Sequence, residues 1–165
     1  MRTRDFLEWP FFTPAHRDLA ERVDSWAARK DHKHGEDRDS VDNACRAWVR
    51  DLGRDGWTRY SAPSDAVFDV RALALIRETL AYHSGLADFA FAMQGLGSGA
   101  ISLEGSLEIK NRYLPRVAAG EAIAAFALSE PDAGSDVAAI KCSARRDGDS
   151  YVLDGQKTWI SKPVR

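Results

Sequence analysis

Apolar residues recur at helical spacing along the first part of the sequence. Thr13-Pro14 is followed by Leu19, Val23 and Trp26 at intervals of three to five residues. A hydroxyl N-cap followed by proline favours a helix start, so this pattern predicts an amphipathic helix that ends near residue 29. Similar spacing predicts further helices over residues 40–52, 70–81, 87–103 and 106–115.

The pattern changes to alternation after Gly120. Two Asp-Gly pairs, Asp147-Gly148 and Asp154-Gly155, predict turns between short strands. The predicted fold class is α+β, with an all-α helical bundle over residues 1–121 and the strands within 122–165. The predicted strands cover residues 123–128, 140–145, 150–153 and 156–160.

Composition and charge exclude several classes of protein. Hydrophobic residues make up 44% of the 165 residues, charged residues make up 29%, and the formal net charge is -2. A nucleic-acid partner is not expected, because phosphate binding needs concentrated positive charge. The apolar stretch 86–103 contains three glycines and Asp88, which favours a buried helix over a membrane span. The amino-terminal residues lack the pattern of a secretory signal.

Two polar features predict no special chemistry. Cys45 and Cys142 lie far apart without CxxC spacing, which predicts reduced thiols in a cytoplasmic protein. His32, His34 and two nearby carboxylates fall in the charged stretch RKDHKHGEDRD at residues 29–39. We interpret this stretch as a solvated loop without a metal site, because nothing in it fixes a coordination geometry.

The candidate chemistry is concentrated in two later segments, FALSEPDAGSD at residues 126–136 and KTWIS at 157–161. Pro131 and Gly134 predict a turn after a buried strand, and its free N–H groups and the hydroxyls of Ser129 and Ser135 are hydrogen-bond donors. No Lys or Arg falls within 126–140, so a phosphate here would need neutral donors or cations from elsewhere. The alternative is an ordinary turn followed by a hairpin with a core tryptophan.

Together with KNRYLPRVAAGE at residues 110–121 and DGDSYVLDGQ at 147–156, these segments resemble the acyl-CoA dehydrogenase family. The resemblance implies that residues 1–121 form the amino-terminal helical domain of that family. Residues 122–165 would be the first strands of its β-barrel-like middle domain, which is truncated here. The implied cofactor is FAD, bound by Phe126, Ala127, Leu128, Ser129, Gly134, Ser135, Trp159, Ile160 and Ser161. Ser135 is also expected to contact the substrate.

The resemblance also implies an activity, the α,β-dehydrogenation of an acyl-CoA thioester with hydride transfer to the flavin. The family base is a carboxylate from a carboxyl-terminal helical domain, so no catalytic residue is assigned in this chain, and Glu130 is interpreted as structural. The residues after Ser161 depart from the family pattern, which favours an amino-terminal portion that is not active alone. Acyl-CoA oxidases and flavin-dependent monooxygenases share this architecture, and the residues do not separate them.

Further expectations follow from the same resemblance. The implied partners are an acyl-CoA substrate, an electron-transferring flavoprotein and further copies of the chain in a homo-oligomer. Gln94, Ser98 and Ile101 are candidate acyl-lining residues, with close helix packing through glycines as the alternative. The competing function is a non-catalytic helical module that dimerises or binds CoA weakly.

Overall fold

The structure is a computed structural model that describes residues 4–65 and 67–160. The chain divides into two compact units, Met1–Ala124 and Ala125–Arg165. The first unit is helical and the second contains a two-stranded sheet, which confirms the α+β prediction. The domain limits of 1–121 and 122–165 stay a prediction from the sequence.

All five predicted helices form in the first unit. They are α1 Pro14–Ala27, α2 Arg38–Arg54, α3 Val70–His83, α4 Gly85–Glu104 and α5 Leu107–Ala118, with short 3-10 turns at Asp5–Glu8 and Thr58–Tyr60. The predicted limits differ from the observed ones by a few residues at most ends. Helix α2 begins before residue 40 because the Asp37 carboxylate accepts a hydrogen bond from the Ser40 N–H and caps the helix there.

The core of this unit is apolar and lies between the helices. Trp48, Leu52, Ile76, Leu80 and Phe91 are each at most 1% exposed. Helix α4 contacts α2, α3 and α5, while α1 packs on α3. A helix surrounded in this way buries apolar residues on several faces, which explains why apolar residues dominate along residues 87–103.

The second unit contains one antiparallel hairpin among the described residues. Strand β1 is Ser143–Asp147 and β2 is Ser150–Asp154, with Asp147 opposite Ser150 and Ala144 opposite Leu153. Gly148 opens the two-residue connection with φ of +60°. Glycine is favoured at that position, because the connecting turn of a tight hairpin needs a positive φ.

Two predicted strands are wrong. Residues 123–128 and 156–160 are extended or irregular but form no strand, and the strand predicted over 140–145 begins only at Ser143. A strand needs a paired neighbour, and among the described residues no backbone hydrogen bond joins these two segments, since the Thr158 N–H donates to Ser129, just outside the first of them. The prediction that 126–128 are buried is also wrong, since Phe126 is 41% exposed.

Two features are absent from the described ranges 4–65 and 67–160. None of the helices there is both long and apolar enough to cross a bilayer. No group of three or more metal-ligating side chains was found in those ranges. In the loop before α2, His32 instead lies 3.1 Å from the Asp51 carboxylate, with its ring edge-on to Trp48.

Candidate functional site

The two motif segments lie side by side in the second unit. The Thr158 N–H donates to the Ser129 carbonyl at 2.9 Å, and the Lys157 ammonium donates to the Leu128 carbonyl at the same distance. Residues that are 29 positions apart in the sequence therefore meet directly. Extended backbone and a tight turn place both motif halves at one site.

The turn itself is closed by its own backbone. Glu130 and Ala133 exchange two hydrogen bonds, from the Glu130 N–H at 2.9 Å and from the Ala133 N–H at 3.2 Å. Pro131 lies between them and restricts φ, which favours the reversal of direction. Ala133 is buried, whereas the following residues, Gly134 and Ser135, are exposed.

The Glu130 carboxylate is the polar centre of the turn. It is 7% exposed and accepts three hydrogen bonds, from the N–H groups of Lys141 and Cys142 and from the Lys157 ammonium, at 2.8 to 2.9 Å. The backbone donor of Lys141 and the ammonium of Lys157 lower the pKa of Glu130 to about 2. A carboxylate held by three donors is unsuited to accept a proton from a substrate, so the geometry supports a structural role.

Several hydrogen-bond donors of the turn have no acceptor within residues 4–65 and 67–160. No described residue accepts a hydrogen bond from the backbone N–H of Leu128 or of Ser129, or from the hydroxyls of Ser129 and Ser135. Leu128 and Ser129 are half-buried, whereas Phe126 and Ala127 are exposed. The turn thus offers an apolar surface next to free donors, a combination that suits a flat heterocycle with ring carbonyls.

Trp159 follows directly after the point of contact and is 90% exposed. Its φ is +58°, a left-handed backbone that a bulky residue adopts only at a cost in free energy. This exposure contradicts the alternative of a core tryptophan. Ile160 is half-buried beside it, and Ser161 lies outside the described residues.

A second group of polar side chains lies on α4 in the first unit. Gln94 and Ser98 are buried; the Gln94 amide oxygen accepts from the Ala124 N–H at 3.0 Å, and the Ser98 hydroxyl donates to the Gln94 carbonyl at 2.6 Å. The Gln94 amide nitrogen and the Ser102 hydroxyl are buried without a partner among the described residues. Ile101 is half-buried.

One glycine of α4 is closely packed, but its neighbour is the turn residue Ser61 and not another helix. A Cβ on Gly95 would lie 3.1 Å from the Ser61 Cβ, whereas a Cβ on Gly99 would meet nothing within 4 Å. Ser102 was not predicted from the sequence, although Gln94, Ser98 and Ser102 recur every four residues along the mainly apolar middle of α4. That spacing is a detectable signal for a polar face.

Lys157 was also missed as a site residue. Its ammonium is tied to the turn by two hydrogen bonds, although the sequence shows only a lysine before the Thr-Trp pair. The signal was the combination of a glutamate in the first motif with a lysine in the second. A lysine in one motif and three carboxylates in the other, Glu130, Asp132 and Asp136, predict an ion pair if the motifs meet, but the pattern does not show which carboxylate takes part.

Comparison with known proteins gives matches along most of the chain. Residues 13–121 match the family described as acyl-CoA dehydrogenase, N-terminal domain, and residues 125–163 match its middle domain. A probable acyl-CoA dehydrogenase of Mycobacterium leprae is 31% identical over 149 residues, covering 88% of this chain and 38% of the relative. A 3-(aryl)acrylate reductase of Clostridium sporogenes is 31% identical over 155 residues, covering 92% and 41%.

The fold agrees with these matches. The crystal structure of an acyl-CoA dehydrogenase complexed with FAD from Bacillus anthracis superposes with a TM-score of 0.72 at 29% identity, over 97% of this chain and 29% of that one. The chain therefore spans less than half the length of these proteins. From its two domain matches, the chain belongs to the acyl-CoA dehydrogenase family.

Proposed function

We propose that this chain carries the flavin-facing part of an enzyme that removes two hydrogens from an acyl-CoA thioester. The observation that carries the proposal is the hydrogen bond from Thr158 to Ser129, which brings the two motif halves together. A relative solved with FAD bound supports the choice of cofactor. When bound, the flavin would accept the hydride that leaves the β-carbon of the acyl group.

The residues present fit a flavin. The flavin ring carbonyls would accept hydrogen bonds from the free N–H groups of Leu128 and Ser129 and from the Ser129 hydroxyl. The Phe126 side chain would pack against the apolar edge of the ring system. The exposed indole of Trp159 would pack against the ring system. Ala127, Gly134, Ser135, Ile160 and Ser161 complete the proposed FAD contacts, with Ser135 also facing the thioester.

The acyl substrate has a candidate contact region on α4. Gln94 and Ser98 use most of their polar atoms internally, so their part would be to shape an apolar surface with Ile101. The Gln94 amide nitrogen, which has no partner in the described part of the chain, is a donor that a thioester or acyl oxygen would satisfy. An electron-transferring flavoprotein as acceptor and a homo-oligomeric assembly belong to the same proposal.

The test is a titration of the chain with FAD, in which binding is monitored by the flavin absorbance at about 450 nm and by the quenching of flavin fluorescence. We expect saturable binding, weakened about tenfold by Trp159→Ala, because loss of one stacked ring is worth roughly 1.4 kcal/mol. Trp9→Ala is the matched control, since Trp9 is a 55% exposed tryptophan of the other unit. Binding that is equally tight in Trp159→Ala would place the flavin elsewhere.

One observation favours the competing function, a non-catalytic helical module that self-associates. Phe89, Leu96 and Leu103 recur every seven residues on α4 and are 36%, 53% and 56% exposed. A stripe with this spacing suits helix–helix pairing. A colourless chain that takes up no FAD and sediments as a dimer would favour this function over the flavin proposal.

A further inference from the structure

The Lys157 side chain connects the two motif segments at two points. Its ammonium donates to the Leu128 carbonyl and to Glu130 Oε1, both at 2.9 Å. The lysine side chain is 26% exposed and the glutamate side chain 6%. An ion pair so shielded from water is screened less than a surface pair, so it restrains geometry more strongly.

The acceptors of Lys157 are fixed without it. The two backbone donors, Lys141 N–H at 2.8 Å and Cys142 N–H at 2.9 Å, already orient the Glu130 carboxylate. The exchange of hydrogen bonds between Glu130 and Ala133 fixes the backbone of the same turn. Lys157 is therefore attached to a preformed anchor.

The segment that carries Lys157 has few other restraints of its own. Among the described residues, Thr158 N–H to Ser129 is its single backbone hydrogen bond to the turn. The next residue, Trp159, turns away with φ of +58°. A slip of one residue would move the Trp159 ring away from its present position next to the Thr158–Ser129 contact. The ammonium opposes that slip, because it must reach two acceptors at once.

We infer that Lys157 is a positioning residue, whose ammonium sets the register of residues 157–160 against the turn 126–136. This role rests on the proposed flavin function, since the register matters through the placement of Trp159 and Ile160 against the ring. Lys157 acts through the turn and need not touch the cofactor. Its charge is already matched by Glu130, which argues against the rival role of a cation for the flavin pyrophosphate.

The experiment uses three variants of the chain, Lys157→Met, Lys157→Arg and Lys141→Met. Lys141 is the matched control because its ammonium lies 3.3 Å from Asp132, with both side chains 78% exposed. Methionine at 141 removes one charge from the same unit and keeps the backbone N–H that Glu130 needs. Two readouts are measured: amide hydrogen exchange at Thr158 without FAD, and the dissociation constant for FAD.

We expect Lys157→Met to accelerate exchange at Thr158 by about tenfold and to weaken FAD binding by a similar factor, as for a lost charged hydrogen bond. Lys157→Arg should retain much of the slow exchange at Thr158 and much of the affinity for FAD, because a guanidinium group also reaches two acceptors. Lys141→Met should change neither readout.

Three outcomes would overturn the role. If Lys157→Met and Lys141→Met accelerated exchange at Thr158 and weakened FAD binding equally, net charge alone would account for the effect. Faster exchange in Lys157→Met with unchanged FAD affinity would show that the register is irrelevant to the cofactor. Absence of FAD binding by the unmodified chain would overturn the proposed function, and this role with it.

Discussion

At the scale of single residues, Glu130 shows how one side chain organises the turn. Its carboxylate accepts from two consecutive backbone N–H groups, Lys141 and Cys142, just before β1 begins. Without it, those two part-buried donors would lose their partner, which costs free energy. The same carboxylate receives the Lys157 ammonium, so a single residue joins the turn, the start of the hairpin and the second motif.

This arrangement predicts how the turn responds to acid. The pKa of Glu130 is lowered from 4.5 to about 2, by the Lys141 N–H first and the Lys157 ammonium second. When folding lowers the pKa of a carboxyl group, the ionised group stabilises the folded state, and this contribution is complete at pH values above the ordinary pKa. That contribution is lost as the pH falls from about 4.5 towards about 2. A carbon-13 titration of the Glu130 carboxyl by NMR should give a midpoint near the lower value.

Lys157→Met provides the control for that titration. Removing the ammonium should raise the pKa of Glu130, yet leave it below 4.5 because both backbone donors remain. A midpoint near 4.5 in the unmodified chain would mean that the three hydrogen bonds do not persist in solution.

At the scale of elements, two glycines on neighbouring helices should respond oppositely to the same substitution. A Cβ on Gly53 would overlap the Ala119 carbonyl, where α2 meets the turn after α5, while a Cβ on Gly99 would meet nothing within 4 Å. Gly53→Ala should lower the free energy of unfolding by about 1–3 kcal/mol through overpacking. Gly99→Ala should raise it by roughly 0.5–1 kcal/mol, because alanine is the better helix former. Urea denaturation of both variants measures the difference, and equal shifts would contradict the packing described.

The helices could be predicted from the sequence because their signals are local. Thr13-Pro14 and Ser106 mark helix starts, and the apolar spacing behind them gives the buried face. The strands predicted at 123–128 and 156–160 are wrong because strand formation depends on a partner elsewhere in the chain, which the local pattern does not show. The hairpin between them was predicted well, since its Asp-Gly turn and both strands are contiguous.

The candidate site likewise contains features that local sequence signals predict and features that depend on distant contacts. The turn and its hydroxyls were predictable from Pro131, Gly134 and the serines around them. The anchoring of Lys157 on Leu128 and Glu130 was not, because a pattern does not show which side chain crosses 29 positions to a carbonyl. Nor does a pattern show that Trp159 lies exposed rather than in a core.

At the scale of the whole molecule, each of the two units is stabilised internally in a different way. The helical unit has a continuous core that includes Trp48, Leu52 and Phe91. In the second unit, every residue of β1 and β2 is exposed. An isolated two-stranded hairpin is marginally stable in water, since it buries little apolar surface.

Local stability should therefore be uneven along the chain. We expect backbone amides of the hairpin to exchange with solvent within about tenfold to a hundredfold of the unfolded rate, since such segments open at almost no cost. Amides near Leu52 and Phe91 should exchange only through global unfolding. Gly148→Ala, which strains a φ of +60° without meeting any atom, should accelerate exchange in the hairpin and leave α2 and α4 unchanged. Exchange measured by NMR or mass spectrometry decides the matter: equal protection in hairpin and helices would mean that the hairpin is stabilised by more than its own two strands.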